Sequence, residues 1–409
     1  MTQIFTSDAY DNSNRERTAH IITSDQEAIE ITQQLATEFA QEAAERDRDR
    51  RLPYTELEKL ANSGLQGITV PKEYGGAGVS NVTLAEVIKL LSEADSSIGQ
   101  IPQNHLYMVE AIRLNGTQEQ KRHFFRLVLE GKRFGNAFTE VGTKTAVAFK
   151  TRLTRTDTGY VLNGKKFYST GALFADIVPV VALDDDDKTV IVFVDRYTPG
   201  LNIIDDWSGM GQRTTASGTT IIENIQVQER DILRHYLAFE EQTTIGAVAQ
   251  IIHAAVDVGI ARAAYKDAIH FIRNYTRPWI ETDFEHGYEE PLIIYGVGEI
   301  SVKLHAAEAL LKRAGEFIDR AFQEQTPTSA TEASIAVAEA KAFADEASIF
   351  ITNKFFELSG TKSTLEQFNH HRHWRNARTH TLHDPVRWKY INVGNYYLNG
   401  VNPPRHGAF

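Results

Sequence analysis

The side chains best suited to chemistry gather near the end of the chain, in His373-Trp374-Arg375-Asn376-Ala377-Arg378-Thr379-His380-Thr381-Leu382-His383-Asp384-Pro385. His380 and His383 are three residues apart, so they share one helical face or one turn, directly after Arg375 and Arg378. Imidazole gives or takes a proton near neutral pH more readily than other side chains. Pro385 disfavours helical backbone at residue 384, so the segment ends or bends there. A helix end beside a pocket suits an acid–base group. Two other readings fit the same spacing. Paired histidines in a polar stretch also suit a solvated surface. His370, His371, His373, His380 and His383 crowd enough to suggest a metal site. The chain has no Cys, no H-E-x-x-H and no carboxylate spaced like a known ligand set, so no metal is assigned.

Something must position these residues. At 409 residues the chain has room for two or three domains, or one large one, and for a sizeable core. Hydrophobic content of 42% and charged content of 24% are those of an ordinary globular protein. A net charge of −11 argues against nucleic acid, whose phosphates would be repelled. No apolar run reads as a membrane span, and Met1-Thr2-Gln3-Ile4-Phe5 lacks the basic and apolar regions of a signal peptide. A cytoplasmic protein without a membrane partner is expected. The absence of Cys excludes disulfides, a thiol nucleophile and a thiolate metal site. With only 3 Met, the low sulfur content suits synthesis under sulfur starvation, or compositional drift.

The pattern divides the chain into four. Residues 1–20 are polar and read as a flexible arm. Residues 21–133 read as an N-terminal α-helical domain. Ser24 with Glu27 fits a capping box, Ala28, Ile31, Leu35 and Phe39 recur at helical spacing, and Thr117 with Gln120 fits another cap. Residues 134–235 read as a central β domain, with a hairpin expected at Asn163-Gly164 and strands at 177–181 and 190–194. Pro179 predicts that the first of these is an edge or bulged strand. Asp184 to Asp187 reads as a solvated turn. Residues 236–409 read as a C-terminal four-helix bundle: one helix to about Arg273, one over about 293–321, one over about 330–358, and a fourth holding the His/Arg segment.

Three landmarks make this order specific. Pro71-Lys72-Glu73-Tyr74-Gly75-Gly76-Ala77-Gly78 resembles the P-x-x-x-G-G-x-G turn of acyl-CoA dehydrogenases. Asn163-Gly164-Lys165-Lys166 resembles that family's N-G-x-K segment, and Arg375-Asn376-Ala377-Arg378 its R-D-A-R segment. The resemblance runs from about residue 25 to the end. It implies an α+β fold of N-terminal helical domain, central β-barrel or sandwich, and C-terminal four-helix bundle, assembled as a homotetramer. Where the family commonly carries a glutamate base, this chain reads Thr379-His380-Thr381-Leu382-His383-Asp384. The R-T-H-T-L-H-D-P pattern and the tail Asn392 to Gly400 are instead similar to the superfamily's flavin-dependent monooxygenase branch. That branch includes dibenzothiophene monooxygenase, and the nearest resemblance is to the SfnB-type sulfur-acquisition oxidoreductases.

The resemblance implies a cofactor and roles. Its members use reduced FMN made by a separate NAD(P)H:flavin reductase, and a C4a-hydroperoxyflavin formed with O2 passes oxygen to sulfur. The absence of a G-x-G-x-x-G fingerprint fits a protein that does not reduce its own flavin. By resemblance, His383 is the first candidate for a catalytic proton donor, with His380 its neighbour. His105 and Ser169 are further catalytic candidates. Asn136, Ser169, Trp207, Ser217, Arg277 and Lys362 are candidate cofactor contacts, Arg277 reaching the flavin of a neighbouring subunit. The expected substrate is a small sulfide, sulfoxide or sulfone in sulfur acquisition. Two alternatives stay open: a dehydrogenase with bound FAD acting on an acyl-CoA thioester, and a non-catalytic flavin-binding protein on the same scaffold.

Overall fold

A computed structural model gives the fold and describes residues 18–145 and 148–409. The expected arm lies, as far as residue 17, outside the described residues. The first helices are α1 (Asp25–Ala40), α2 (Ala43–Asp49), α3 (Tyr54–Asn62), α4 (Asn81–Ala94), α5 (Ser96–Gln100), α6 (Gln103–Asn115) and α7 (Gln118–Leu129). Side chains set where they start. Thr117 and Gln120 close a full capping box on α7. Ser24 caps α1 by accepting from the Glu27 N–H, but only half a box forms. The Glu27 carboxylate turns instead to the Thr23 N–H, the Thr23 hydroxyl and His20.

A seven-stranded mixed sheet follows, in the order β5-β6-β2-β1-β3-β4-β7. Its strands are β1 (Arg152–Thr156), β2 (Gly159–Lys166), β3 (Ile177–Leu183), β4 (Thr189–Asp195), β5 (Leu201–Ile204), β6 (Thr219–Val227) and β7 (Ile232–Leu233). Two sequence expectations are corrected here. The Asn163-Gly164 hairpin does not form: both residues lie inside β2, and the chain reverses at Thr156–Gly159. They make an irregularity against β6, where the register shifts between Leu162 and Gly164. Asn163 Oδ1 accepts from the Asn224 N–H at 2.8 Å, and a Cβ on Gly164 would stand 2.2 Å from Thr151 Oγ1. Glycine is needed there for close approach rather than for a turn. Pro179, likewise, is not on an edge strand. β3 pairs along its length with β4 and meets β1 only at Leu183. Past the end of β1, residues 134–137 run alongside, and the Pro179 carbonyl accepts from the Ala137 N–H at 3.1 Å. Proline acts as acceptor only, which its missing N–H allows.

The last part holds three long helices, α8 (Ile245–Tyr275), α9 (Pro291–Glu324) and α10 (Pro327–Ser359). Two shorter ones, α11 (His371–His380) and α12 (Arg387–Asn399), take the fourth position. α11 stops at His380, so His383 and Asp384 sit in the turn before α12. α8 is the core helix, packed against α4, α9 and α10. It is long and apolar enough to span a membrane, which the sequence reading did not register. However, 94% of its most apolar window is buried within the protein.

Candidate active site

α8 carries His253 and Asp257 one turn apart, so both face the same way. They meet His380, the last residue of α11. The His380 ring is 1% exposed; its Nδ1 lies 2.6 Å from Asp257 Oδ1 and its Nε2 lies 3.1 Å from His253 Nδ1. A carboxylate only accepts, so His380 Nδ1 donates to Asp257 and its Nε2 accepts from His253 Nδ1–H. His253 Nε2 has no hydrogen-bond partner among the described residues. The far oxygen of Asp257 accepts from Lys341 at 3.0 Å, and Lys341 also pairs with Asp345 on the same face of α10.

The chain of groups ends at the rim. His383 lies over His253, with ring centroids 4.1 Å apart and planes at 32°, and its Nδ1 is 3.1 Å from Asp384 Oδ2. Gln250, one turn before His253 on α8, donates to Asp384 at 3.0 Å and to the Gly407 carbonyl at 3.1 Å. The His383 side chain is 45% exposed, whereas His253 is 2% exposed.

Electrostatics divides the three imidazoles. Burial pushes His253 well below the usual range, helped by the neighbouring His383 and His380. Burial also lowers His380 and outweighs the pull of Asp257. Burial opposes charge on His383 too, but the Asp384 charge and hydrogen bond overcome it and raise the pKa. Asp257 stays ionised despite burial because His380 and Lys341 flank it, while burial beside Asp257 raises Asp345. A proton is therefore held best at the exposed end.

A second group of predicted residues sits on the sheet side. Ser169 is fully buried and its Oγ has no hydrogen-bond partner among the described residues. It follows Tyr168, which holds the left-handed backbone (φ 57°), while its own N–H donates to the Gly218 carbonyl. Ser217 Oγ lies 2.7 Å from both the Thr170 and Thr215 hydroxyls. Trp207 Nε1–H donates to the Gln212 carbonyl, and its ring meets the half-exposed Tyr168 edge-on. Asn136, half-buried, accepts from the Phe138 N–H at 3.1 Å. α11 joins the two groups. Gln212 N–H donates to Asn376 Oδ1 at 2.7 Å and Arg375 Nη1 donates to the Met210 carbonyl at 2.7 Å. A Cβ on Gly211 would stand 2.0 Å from the Arg375 carbonyl. The loop bearing Trp207 and Ser217 is thus fastened to the helix that ends in His380.

Three predicted residues stand apart. His105 has both ring nitrogens committed to backbone: Nδ1 accepts from the Phe134 N–H at 3.0 Å, so Nε2–H donates to the Gln66 carbonyl at 3.0 Å. Both ring nitrogens are engaged by backbone, an arrangement that suits a structural role. Arg277 is exposed just past the end of α8, and Lys362 lies over the Tyr275 ring at 4.5 Å. Both are at the opposite end of α8 from His253, roughly 33 Å away at about 1.5 Å per residue. His253, Asp257 and Lys341 were missed. Their signal was weak but present: His253 and Asp257 are polar residues four apart within an otherwise apolar run. Among the described residues, two groups have metal-ligand proximity, His253 with His383 and Asp384, and Asp267 with His370 and His373. In the second, Arg372 already donates to the Asp267 carboxylate at 3.1 Å.

Family models match in sequence along the chain: acyl-CoA dehydrogenase N-terminal domain over residues 23–132, middle domain over 135–225 and C-terminal domain over 251–388. Dibenzothiophene monooxygenase of Rhodococcus erythropolis is 33% identical over 93% of this chain and 95% of its own. A probable FMNH2-dependent monooxygenase, SfnC of Pseudomonas putida, is 30% identical over 94% of this chain and 98% of its own. Among solved structures, FMN-bound TdsC from Paenibacillus sp. A11-2 superposes with a TM-score of 0.89 at 28% identity, over 93% of this chain and all of that one.

Proposed function

The chain belongs to the acyl-CoA dehydrogenase family, and from that membership and the histidine cluster we propose that it is a reduced-flavin-dependent monooxygenase of small organosulfur compounds. One observation carries the reading: a buried histidine–carboxylate chain ends at the half-exposed His383, whose pKa Asp384 raises, where a dehydrogenase needs a glutamate base. The carboxylates hydrogen-bonded to the cluster are Asp257 and Asp384, and each is engaged by an imidazole. Neither is free to remove a substrate proton.

The sheet-side residues suit a flavin. A hydroxyl as buried and unpartnered as Ser169 Oγ needs a polar partner, and a flavin ring edge offers one. Ser169, Ser217, Trp207 and Asn136 would hold FMN, with FAD as the alternative. Bound reduced FMN would supply the electrons that activate O2, one oxygen atom going to sulfur and the other leaving as water. A separate NAD(P)H:flavin reductase would provide it. When His383 is protonated, Asp384 accepts from its Nδ1–H and its Nε2–H is left to donate. The buried ring of His253 beneath it keeps water from the inner side.

Assembly as a homotetramer would complete the site. Leu292, Tyr295 and Val302 on α9 and Leu398 on α12 are exposed, a pattern that suits burial against further copies. Arg277 and Lys362 would then serve a neighbouring subunit's flavin phosphate. A gel-filtration mass of a monomer would count against this arrangement.

The test supplies photoreduced FMN and O2 with a panel of sulfides, sulfoxides and sulfones, and measures oxygenated product against hydrogen peroxide. Product in proportion to O2 consumed is expected for at least one substrate. Return of all O2 as peroxide, together with reduction of bound FAD by an acyl-CoA thioester, would establish the dehydrogenase reading instead.

A further inference from the structure

We infer that Asp257, anchored by Lys341, is a positioning residue: it fixes the ring protons of His380 and His253 so that His253 presents an unprotonated Nε2 beneath His383. The inference deepens the monooxygenase reading and rests on it for its kinetic consequence only.

With His380 neutral, as burial favours, the geometry leaves one consistent proton pattern. Asp257 lies 2.6 Å from His380 Nδ1, which must donate. His380 Nε2 is then a lone pair, 3.1 Å from His253 Nδ1, which must donate in turn. The order passes through two rings to His253 Nε2, which is left as an acceptor. One carboxylate thus decides which face of a ring one residue beyond its own reach carries a proton.

The surroundings make this order rigid. α8 contributes Gln250, His253 and Asp257; α10 contributes Lys341 and Asp345; α11 contributes His380. His383, Asp384 and Lys389 close the rim, with Lys389 donating to the Ala408 carbonyl and His406 on the tail nearby. Asp257 is 0%, Lys341 1% and Asp345 4% exposed. An ion pair as deeply placed as Asp257 with Lys341 adds little stability over apolar residues of the same volume, since desolvation offsets the attraction. It does hold a direction. Lys341 keeps Asp257 ionised, and an ionised Asp257 keeps His380 donating from Nδ1 alone. With His253 and His380 both neutral, the rim proton resides on His383, where Asp384 stabilises it.

Replacing Asp257 by Asn reverses the order. The Asn amide donates to His380 Nδ1 while it pairs through its oxygen with Lys341. His380 then donates from Nε2 to His253 Nδ1, and His253 carries its proton on Nε2, in the ring that lies under His383. The first readout needs no flavin: ring-15N-histidine NMR of the purified full chain. Wild type is expected to show His253 and His380 as Nδ1–H tautomers, with a far-downfield N–H for the bond to Asp257. D257N is expected to convert both to Nε2–H and lose that resonance. The second readout is the pH profile of coupled oxygenation. D257N should move its alkaline limb down by about one pH unit and lower kcat about tenfold, with substrate KM within twofold.

Unchanged tautomers in a folded D257N, or tautomers that switch while the pH profile stays fixed, would overturn the inference. If D257N does not fold, K341M serves. Without the ammonium, which opposes charge on His380, the buried positive charge passes to the His380 ring beside Asp257, and its NMR titration should move up by about one unit; an unmoved titration overturns the inference. Should wild type oxygenate no substrate, the function reading fails, while the NMR result still decides the proton order.

Discussion

Two buried histidine sites of this protein differ by what lies at their far ends. His105 and His380 are both sealed from solvent, at 0% and 1% exposure, and burial lowers the pKa of each. His105 is bracketed by two backbone groups, so its ring closes a circuit between α6, the segment after α3 and residue 134. His380 passes its polarity to His253, which lies under the exposed His383. Burial and pKa alone do not tell a staple from a site. The ring nitrogen left without a partner does.

The largest expected effect tests the open end. His383→Ala should lower coupled oxygenation about 100-fold or more, in the range of a lost general acid, and release the consumed O2 as peroxide. Stability should change by less than about 1 kcal/mol, because the side chain is 45% exposed. Oxygenation retained within threefold would remove His383 from the mechanism and erase the distinction.

The closed end should behave in the opposite way. His105→Leu strands the Phe134 N–H and the Gln66 carbonyl in the interior. Each unsatisfied group costs about 1–3 kcal/mol, so unfolding free energy should fall by roughly 2–5 kcal/mol. Turnover per folded molecule should stay within twofold. Denaturant titration with kinetics on the refolded fraction separates the two. A large kinetic loss without a stability loss would return His105 to the active site.

A smaller effect sharpens the rim. Burial opposes the His383 charge and Asp384 more than offsets it, so the proton donor is present below the raised pKa and is lost as pH rises through it. Asp384→Asn removes the compensation. The alkaline limb of the oxygenation profile should move to lower pH by about one unit. An unmoved limb would mean that another group donates the proton.

The same contrast explains what the sequence could show. His380 and His383 were legible because they stand in a compact polar segment broken by Pro385, where a helix ends. Their partners were hidden by surroundings that looked like core. His253 and Asp257 interrupt an apolar stretch of α8, where two polar residues one turn apart read as noise until a second helix meets them. Lys341 and Asp345 lie on a third helix, and only tertiary packing joins them to α8. The domain-level reading rested on helical periodicity and caps, which are local, and on landmarks in order. The Asn163-Gly164 reading failed because a local turn signal was overridden by the close approach of Thr151, which no local pattern encodes. Arg277 and Lys362 were chosen by resemblance; within one chain they lie far from the histidines along α8.

The smallest expected effect concerns proton uptake by the closed site. An imidazole in the unfolded chain takes its proton near pH 6.5, whereas burial pushes His105 down to about 4 in the folded protein. Between these values the unfolded state binds more protons, so stability falls as pH drops from 6.5 toward 4 and levels off below. For His105 the loss between pH 8 and pH 6 is about 1 kcal/mol, from the difference in proton binding alone. His105→Leu should therefore be less stable at every pH but should lose stability less steeply on acidification. His383→Ala should do the reverse in sign, since a raised imidazole pKa adds stability below 6.5 that is lost as pH rises. Chemical unfolding of both variants at pH 8 and pH 6 measures the two slopes. Equal slopes would mean that proton binding at the two sites is not what sets them apart, and the comparison would then rest on hydrogen bonding alone.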